Sequence, residues 1–501
     1  MLFSNGIIWD DWTVMNMPKE GLSQQFGENG FWFLVYFHDF LNDCFYSPII
    51  YHWMSFGFMF GVFVFVFKIL KHFKFKESSA LLITLLAMLT PYFETKNLII
   101  CMPHTMFLFS FTFGLYLIFS SQTDSEDWKK LLVGAVLVFF SFFLNSIIPM
   151  FLFVTVFYLL WKNDFSILKI KENSRKEILL GGGIIMLPFV FWGVKKMIFP
   201  VKGLYAASGY NKINFSLTQW PIQIKKIAED NIIGIYNEFI SVFEYDMTFS
   251  IVIFLFCLVV SVFILRKISF KFELERKSWQ YAIFGILLFF VGAFPYIVVN
   301  KLPRYYVYDT RHQILLCIGL AFLVYSVVVV FHQFISKGIF VFIISVFMTN
   351  TISSNINFLR GWIKIEAVKH DIKQIEIDTS GIIITKGFDG QLYATENPLT
   401  FYELSGIFKK TLDRQDLYYV HHKYSKRLIA MFPGISAHAI KFNMKDYDIK
   451  DQDFDRAIEA TYAQEKISYF KVLEMVMLYY FNQKVFQQEV DDIMNIEIKK
   501  V

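Results

Sequence analysis

Between residues 48 and 354 the chain is a succession of long apolar stretches separated by short polar ones. Crossing a bilayer core takes about 20 mostly apolar residues as a helix, because only a helix satisfies its own backbone polar groups in lipid. On that measure ten segments are candidate spans: 48–70, 79–90, 98–120, 131–146, 147–161, 178–194, 249–265, 279–299, 314–331 and 339–354. Three are short. Segment 79–90, and the pair 131–146 and 147–161 meeting at Asn145, Ser146 and Pro149, predict half-helices or steep kinks; the pair also fits one long re-entrant unit.

The pattern differs at both ends. Residues 22–46 predict an amphipathic helix lying on the membrane, with Phe33, Leu34, Phe37, Phe40 and Leu41 on one face and His38, Asp39, Asn42 and Asp43 on the other. After about residue 357 the runs shorten. Segments 374–379 and 381–385 predict strands joined by a Thr-Ser-Gly turn, Phe388-Asp389-Gly390 predicts another turn, and 456–481 predicts one or two helices. The expected fold is therefore a polytopic α-helical membrane protein of about ten spans with a C-terminal α+β extracytoplasmic domain. The expected divisions are 1–45 as an outer loop, 46–356 as the bundle and 357–501 as the soluble domain.

Charge supports that division. Residues 361–501 hold 40 charged side chains in 141, or 28%, and residues 1–360 hold 51, or 14%, against about 25% for soluble proteins. The first part has too little charge to cover a water-facing surface, which excludes a purely cytosolic enzyme. Its net +7 against −2 for the remainder points to membrane loops rather than nucleic acid. If the first loop after a span is cytoplasmic, short inner loops carry 17 Lys and Arg, and outer loops carry 11 over roughly twice as many residues. The positive-inside rule then puts the N-terminus, the 200–248 loop and the C-terminal domain outside. An outside N-terminus with no signal peptide ahead of it leads to the expectation of a further apolar helix, an eleventh span, encoded upstream. Four scattered cysteines imply no disulfide framework.

The outer segments carry the candidate chemistry. Trp9-Asp10-Asp11-Trp12 sets two carboxylates between indoles; one can accept a proton while the other orients it or holds a cation, or an Asp can cap the next turn beside an interfacial aromatic belt. His38 and Asp39 are placed either to help hold an acceptor or to face water. The tight 91–97 loop sets Glu94 at the membrane surface, with Lys96 as an alternative partner. His104 falls inside the next span, a functional candidate or a histidine satisfied by a carbonyl. Residues 301–313 form the densest polar cluster of the membrane part, with Arg304, Tyr305, Asp309, Arg311 and His312. Arg311 and His312 begin a span, where a guanidinium and a helix N-terminus suit a lipid phosphate; snorkelling anchors in an aromatic belt are the competing reading. The amphipathic run 222–243 is a lid or lies on the surface. His421-His422 lacks a spaced third ligand, Gly181-Gly182-Gly183 reads as helix packing, and neither nucleotide-binding glycine motif occurs.

This layout resembles the GT-C superfamily, integral-membrane glycosyltransferases that take a sugar from a polyprenyl-phosphate carrier. The features that carry it are Asp10-Asp11, the amphipathic segment, Glu94, the short middle spans, the basic 304–312 loop and the outer C-terminal domain. The resemblance implies a hexosyltransferase in a bacterial-type inner (plasma) membrane, working at its outer face on a glycan, lipid or protein acceptor of the cell envelope. It implies Asp10 or Asp11 as base or metal ligand, Glu94 as the second-loop acid, and Arg304 or Arg311, with His312, on the departing lipid phosphate. A divalent metal, Mg or Mn, would fall to Asp10, Asp11 and Glu94. The chain departs from the family in lacking its first helix. A transporter or flippase of a lipid-linked sugar is the alternative; internal repeats would favour it, and the two halves share none.

Overall fold

The computed structural model describes residues 6–8, 11–15, 19–44, 47–121, 128–163, 165, 175–202, 213, 218–267, 278–305, 307–331, 333–373, 381–385, 401–413, 417–421, 458–464 and 467–500. Among these the chain is mainly helical. The N-terminal helices are α1 (Asp11–Met15), α2 (Lys19–Leu22) and α3 (Trp32–Asn42). The ten apolar segments fall on α4 (Ser47–His72), α5 (Glu77–Leu89), α6 (Met102–Ser121), α7 (Trp128–Ser141), α8 (Ile147–Lys162) and α9 (Arg175–Ile198), then, beyond α10 (Trp220–Tyr245), on α11 (Met247–Lys267), α12 (Ser278–Val298), α13 (Leu316–Val328) and α14 (Gln333–Lys373). Six helices are long and apolar enough to cross a membrane, while Glu77–Leu89, Ile147–Lys162 and Leu316–Val328 are shorter apolar helices.

The break expected at Asn145 and Ser146 comes earlier. α7 ends at Ser141, and Pro149 sits in the first turn of α8, where a missing N–H is tolerated. α6 and α7 cross where Gly114 meets Gly134: a Cβ on either would lie 2.8 Å from the other's carbonyl oxygen. Small residues allow this approach, which in lipid replaces hydrophobic association as the source of helix packing. Gly114→Ala is expected to force the helices apart and destabilise the protein by about 1–3 kcal/mol, read as a lower Tm in detergent.

The 22–46 segment is not one helix. A π-helical turn at Ser23–Gly27 and a left-handed Gly30 (φ 76°) interrupt it before α3 begins. α3 also presents its faces differently from the sequence reading: Leu34, His38 and Leu41 point inward, whereas Phe40 is 68% exposed. His38, expected on a polar outer face, is instead wholly buried, because the i, i+4, i+7 stripe that packs against α4 includes it.

α14 runs 41 residues, about 60 Å at 1.5 Å per residue, and continues unbroken through the 356/357 division read from the sequence. Twice the core thickness, it carries fully buried Trp362 against Tyr479 of α16 (Tyr469–Phe481), with ring centroids 4.8 Å apart. The C-terminal segments add α15 (Phe401–Leu412), α17 (Gln483–Ile493) and strands β1 (Gly381–Thr385), β2 (Leu417–His421), β3 (Ile458–Gln464) and β4 (Met494–Lys500). Their sheet order is β2-β1-β3-β4, with β1 parallel to both neighbours and β3 antiparallel to β4. The helix expected over 456–481 is thus a strand in its first part: Ile383 pairs with Ile458, and Ile458 with Lys500. The expected strand 374–379, the turn at Phe388-Asp389-Gly390 and His422 lie outside the described residues.

Asp246 joins the bundle to the C-terminal helices. Its Oδ1 accepts from Phe249 N (3.1 Å), capping α11, and its Oδ2 accepts from Tyr469 N (3.0 Å) at the start of α16. Tyr245 donates its hydroxyl to the Ile467 carbonyl beside it. Asp246→Ala removes both acceptors and is expected to cost about 1–2 kcal/mol, measured as a Tm drop, with α16 losing hydrogen-exchange protection first.

Candidate functional site

The link between α5 and α6 is where sequence-distant loops meet. After Pro91 it turns through Phe93, which is buried and left-handed (φ 57°, ψ 48°), a conformation a bulky side chain adopts only under constraint. That turn starts a 3-10 helix, Glu94–Asn97, and a second, Ile99–Cys101, leads into α6.

Glu94 is half-buried among four elements. Tyr305, between α12 and the next 3-10 helix, donates its hydroxyl to Oε1 at 3.2 Å, and Ser354 of α14 also favours the charged carboxyl. Glu238 of α10 and Lys96 act on it electrostatically. Burial, then the negative charge of Glu238, pushes the carboxyl up to about 8, outweighing Ser354, Lys96 and Tyr305, which favour the carboxylate. Glu238 is itself raised by burial. Burial and the adjacent acids hold the Tyr305 phenol neutral, so it remains a donor. α10 approaches so closely that a Cβ on Gly234 would lie 2.5 Å from the Tyr305 Cβ; glycine there lets the ring reach Glu94.

Asn231, one turn before Gly234, ties the same elements. Tyr92 donates its hydroxyl to the Asn231 carbonyl (3.1 Å), Asn231 Nδ2 donates to the Pro303 carbonyl (3.0 Å), and Gln313 Nε2 donates to Asn231 Oδ1. Thr95 N donates to Thr310 Oγ1 (3.4 Å), joining the second loop to the 3-10 helix Val307–Gln313.

Asp11 joins the first loop to this link. It is 1% exposed, and its oxygens accept main-chain N–H groups: Oδ1 from Ile100 (2.8 Å) and Oδ2 from Ile8 (3.2 Å). The Asp11 carboxylate therefore fastens the N-terminal segment to the start of α6. Asp10, with Trp9, lies outside the described residues.

A second group gathers where the N-terminal end of α6 meets the C-terminal end of α12. The charge of Arg311 acts on His104, His312 and Tyr296, and the His312 ring sits 4.8 Å from the Tyr296 ring. Burial, then Arg311, Lys301 and His104, lowers His312 to about 3, so it is a neutral imidazole beside cationic side chains. The Nδ1 atoms of His104 and His312 are buried without a hydrogen-bond partner. Asp309 is half-buried in the same 3-10 helix.

Two sequence candidates stand elsewhere. Arg304 reaches Asp230 of α10 at 3.8 Å with both side chains partly exposed, a pair worth at most about 0.2–1 kcal/mol. His38 shares a hydrogen bond with the Tyr51 hydroxyl (2.8 Å), Tyr51 reaches Asn42 Oδ1 (3.3 Å), and Asn42 Nδ2 donates to the Val14 carbonyl (2.9 Å). Burial lowers His38 to about 3, and Phe26 stacks on its ring, which makes it a packing residue. Among the described residues no three His, Cys, Asp or Glu side chains form a group able to hold a metal ion.

An apolar groove of about 160 Å³ lies between α10 and α12, lined by Ile224, Ile227, Phe289, Ala293 and Ile297 among others. Ile227, Phe289, Ala293 and Ile297 also pack in the cluster that contains Tyr92 and touches Tyr305, so the groove's inner wall backs onto the Glu94 contacts.

Asn231, Glu238 and Ser354 were not singled out from the sequence. The signal lay in α10, whose inward stripe Ile224, Ile227, Asn231, Ile235, Glu238, Val242 recurs every three or four residues and is interrupted by two polar groups. Comparison with protein-family models, with curated proteins and with solved structures found no match for the chain.

Proposed function

We propose that the protein is an integral-membrane glycosyltransferase of the GT-C kind, moving a sugar from a polyprenyl-phosphate donor to a cell-envelope acceptor at the outer membrane face. In this reading ten helices span the membrane, and both termini and an α+β C-terminal domain lie outside. The observation that carries it is the meeting of three distant outer loops at the α5–α6 link, through Asp11 with Ile100, Glu94 with Tyr305 and Thr95 with Thr310. The apolar groove between α10 and α12 suits an isoprenoid chain.

Glu94 takes the role of general base. The acceptor hydroxyl oxygen bonds to the sugar's anomeric carbon, the bond from that carbon to the phosphate oxygen breaks, and the hydroxyl proton passes to Glu94. The polyprenyl phosphate leaves with the bonding pair, and Arg311 is the cation set to receive that charge, with His104 and neutral His312 as hydrogen-bonding groups. Asp11 is a positioning residue. Arg304, tied to Asp230, is the less suited phosphate ligand.

The test is incubation of purified protein with a radiolabelled polyprenyl-phosphate hexose and cell-envelope acceptors, wild type beside Glu94→Gln. Label in the acceptor fraction supports transfer. Label that crosses vesicle membranes still attached to its lipid would mean a transporter instead.

A further inference from the structure

α16 has two unlike faces. Tyr469, Val472 and Met475 are buried, while Phe470, Leu473, Met477, Tyr480 and Phe481, at i, i+3, i+7, i+10 and i+11, are exposed, Met477 at 58% and Phe481 at 79%. The one charged side chain on the exposed face, Glu474, reaches back to Lys471 at 3.2 Å. The next helix, α17, exposes Gln483, Lys484, Gln487 and Gln488 instead. An exposed apolar row of this size is an interaction surface, and its surroundings identify the partner.

The start of α16 is fixed to the N-terminal end of α11. Asp246 caps both helices, and the Phe470 ring lies 5.0 Å from that of Phe249. α11 is the most apolar of the candidate spans, and its bare belt includes Met247, Val252, Leu255, Phe256 and Val259. The joined ends are both apolar and exposed, Met247 at the start of α11 and Phe470 at the start of α16.

We infer that α16 lies in the interfacial layer of the leaflet that meets the N-terminal end of α11, with Phe470, Leu473, Met477, Tyr480 and Phe481 seated among phospholipid acyl chains. Attachment to the end of a belt that must face lipid if α11 crosses the membrane selects lipid over a protein partner. The inward face, Tyr469, Val472 and Met475, is buried in the protein, which leaves the outward apolar row for lipid. The C-terminal segment is then anchored to the membrane independently of the spans. This holds whether or not the protein transfers a sugar.

The test uses the full chain in nanodiscs of palmitoyl-oleoyl phosphatidylglycerol. In a Cys44→Ser background, nitroxide labels at Met477 and Phe481 are compared with labels at Leu255 as the lipid reference and at Lys484 and Gln488 as the water reference. Met477 and Phe481 are expected to favour oxygen over a water-soluble nickel chelate several-fold relative to Lys484 and Gln488, as Leu255 does. Labels open to the nickel chelate would overturn the inference. So would labels closed to both agents, the result expected if a second copy or another protein covers the face. A diazirine phospholipid applied to the unmodified chain provides a check free of substitutions: adducts are expected in Tyr469–Phe481 as well as in Met247–Lys267, and adducts in the latter alone would overturn the inference.

Discussion

Glu94→Gln is expected to lower sugar transfer by about 10²–10⁴-fold, the usual contribution of a positioned general base, while leaving expression and folding intact. Glutamine matches the carboxyl in size and can still accept from Tyr305, so the change removes the proton acceptor and little else. The pH profile distinguishes this from a structural effect. A base works as its carboxylate, and with Glu94 raised to about 8 the wild-type rate should climb as pH rises through that value and level off above it. Tyr305→Phe removes a hydrogen bond that favours the carboxylate, so its profile should shift to higher pH. A Glu94→Gln enzyme that transfers label at the wild-type rate would reject the assignment.

Stability carries the same signature with its own sign. A carboxyl near 4.5 when unfolded and raised when folded is bound more tightly to its proton in the native state. Its contribution is complete below about 4.5 and is lost as pH rises through about 8, because the buried site then has to hold a charge. Thermal unfolding of wild type and Glu94→Gln should therefore diverge as pH rises across that window, the variant becoming the more stable. This trade of stability for a strained, half-enclosed acid is the usual mark of a working site.

The helices of the membrane part were legible because lipid leaves the backbone one way to satisfy itself over such a length, so apolar runs alone mark α4, α6, α11, α12 and α14. Which loops meet was not legible, since the contacts of Glu94 with Tyr305 and of Asp11 with Ile100 cross long stretches of chain. Composition singled out Glu94, Tyr305 and Arg311 as candidates, because charge and phenol are conspicuous against apolar neighbours. The same contrast misled at His38: a polar residue among polar neighbours in the sequence became buried once α3 turned its 34, 38, 41 stripe inward. Glu238 escaped notice for the opposite reason, as one acid in a helix with enough charge to read as a surface element. β3 escaped because its pairing with β1 and β4 is non-local, and tertiary pairing overrides a helical reading of a short mixed segment.

Asp11→Ala is expected to cause the largest loss of stability, about 2–5 kcal/mol, because it strands the N–H groups of Ile8 and Ile100, each such orphan costing about 1–3 kcal/mol. Asp11→Asn should not rescue it fully. The Asn carbonyl can take the shorter bond from Ile100, but its NH₂ then faces the Ile8 donor. Thermal unfolding in detergent reads the cost, and transfer per folded molecule reads the role. A latch predicts that folded Asp11→Asn keeps the wild-type pH dependence and most of its rate, since the residue acts by holding the first loop beside the link that carries Glu94. A catalytic base predicts near-complete loss of rate at unchanged stability. The two outcomes lie on different axes, and the geometry points to the first: a carboxylate 1% exposed, with a backbone N–H on each oxygen, is engaged in holding the chain.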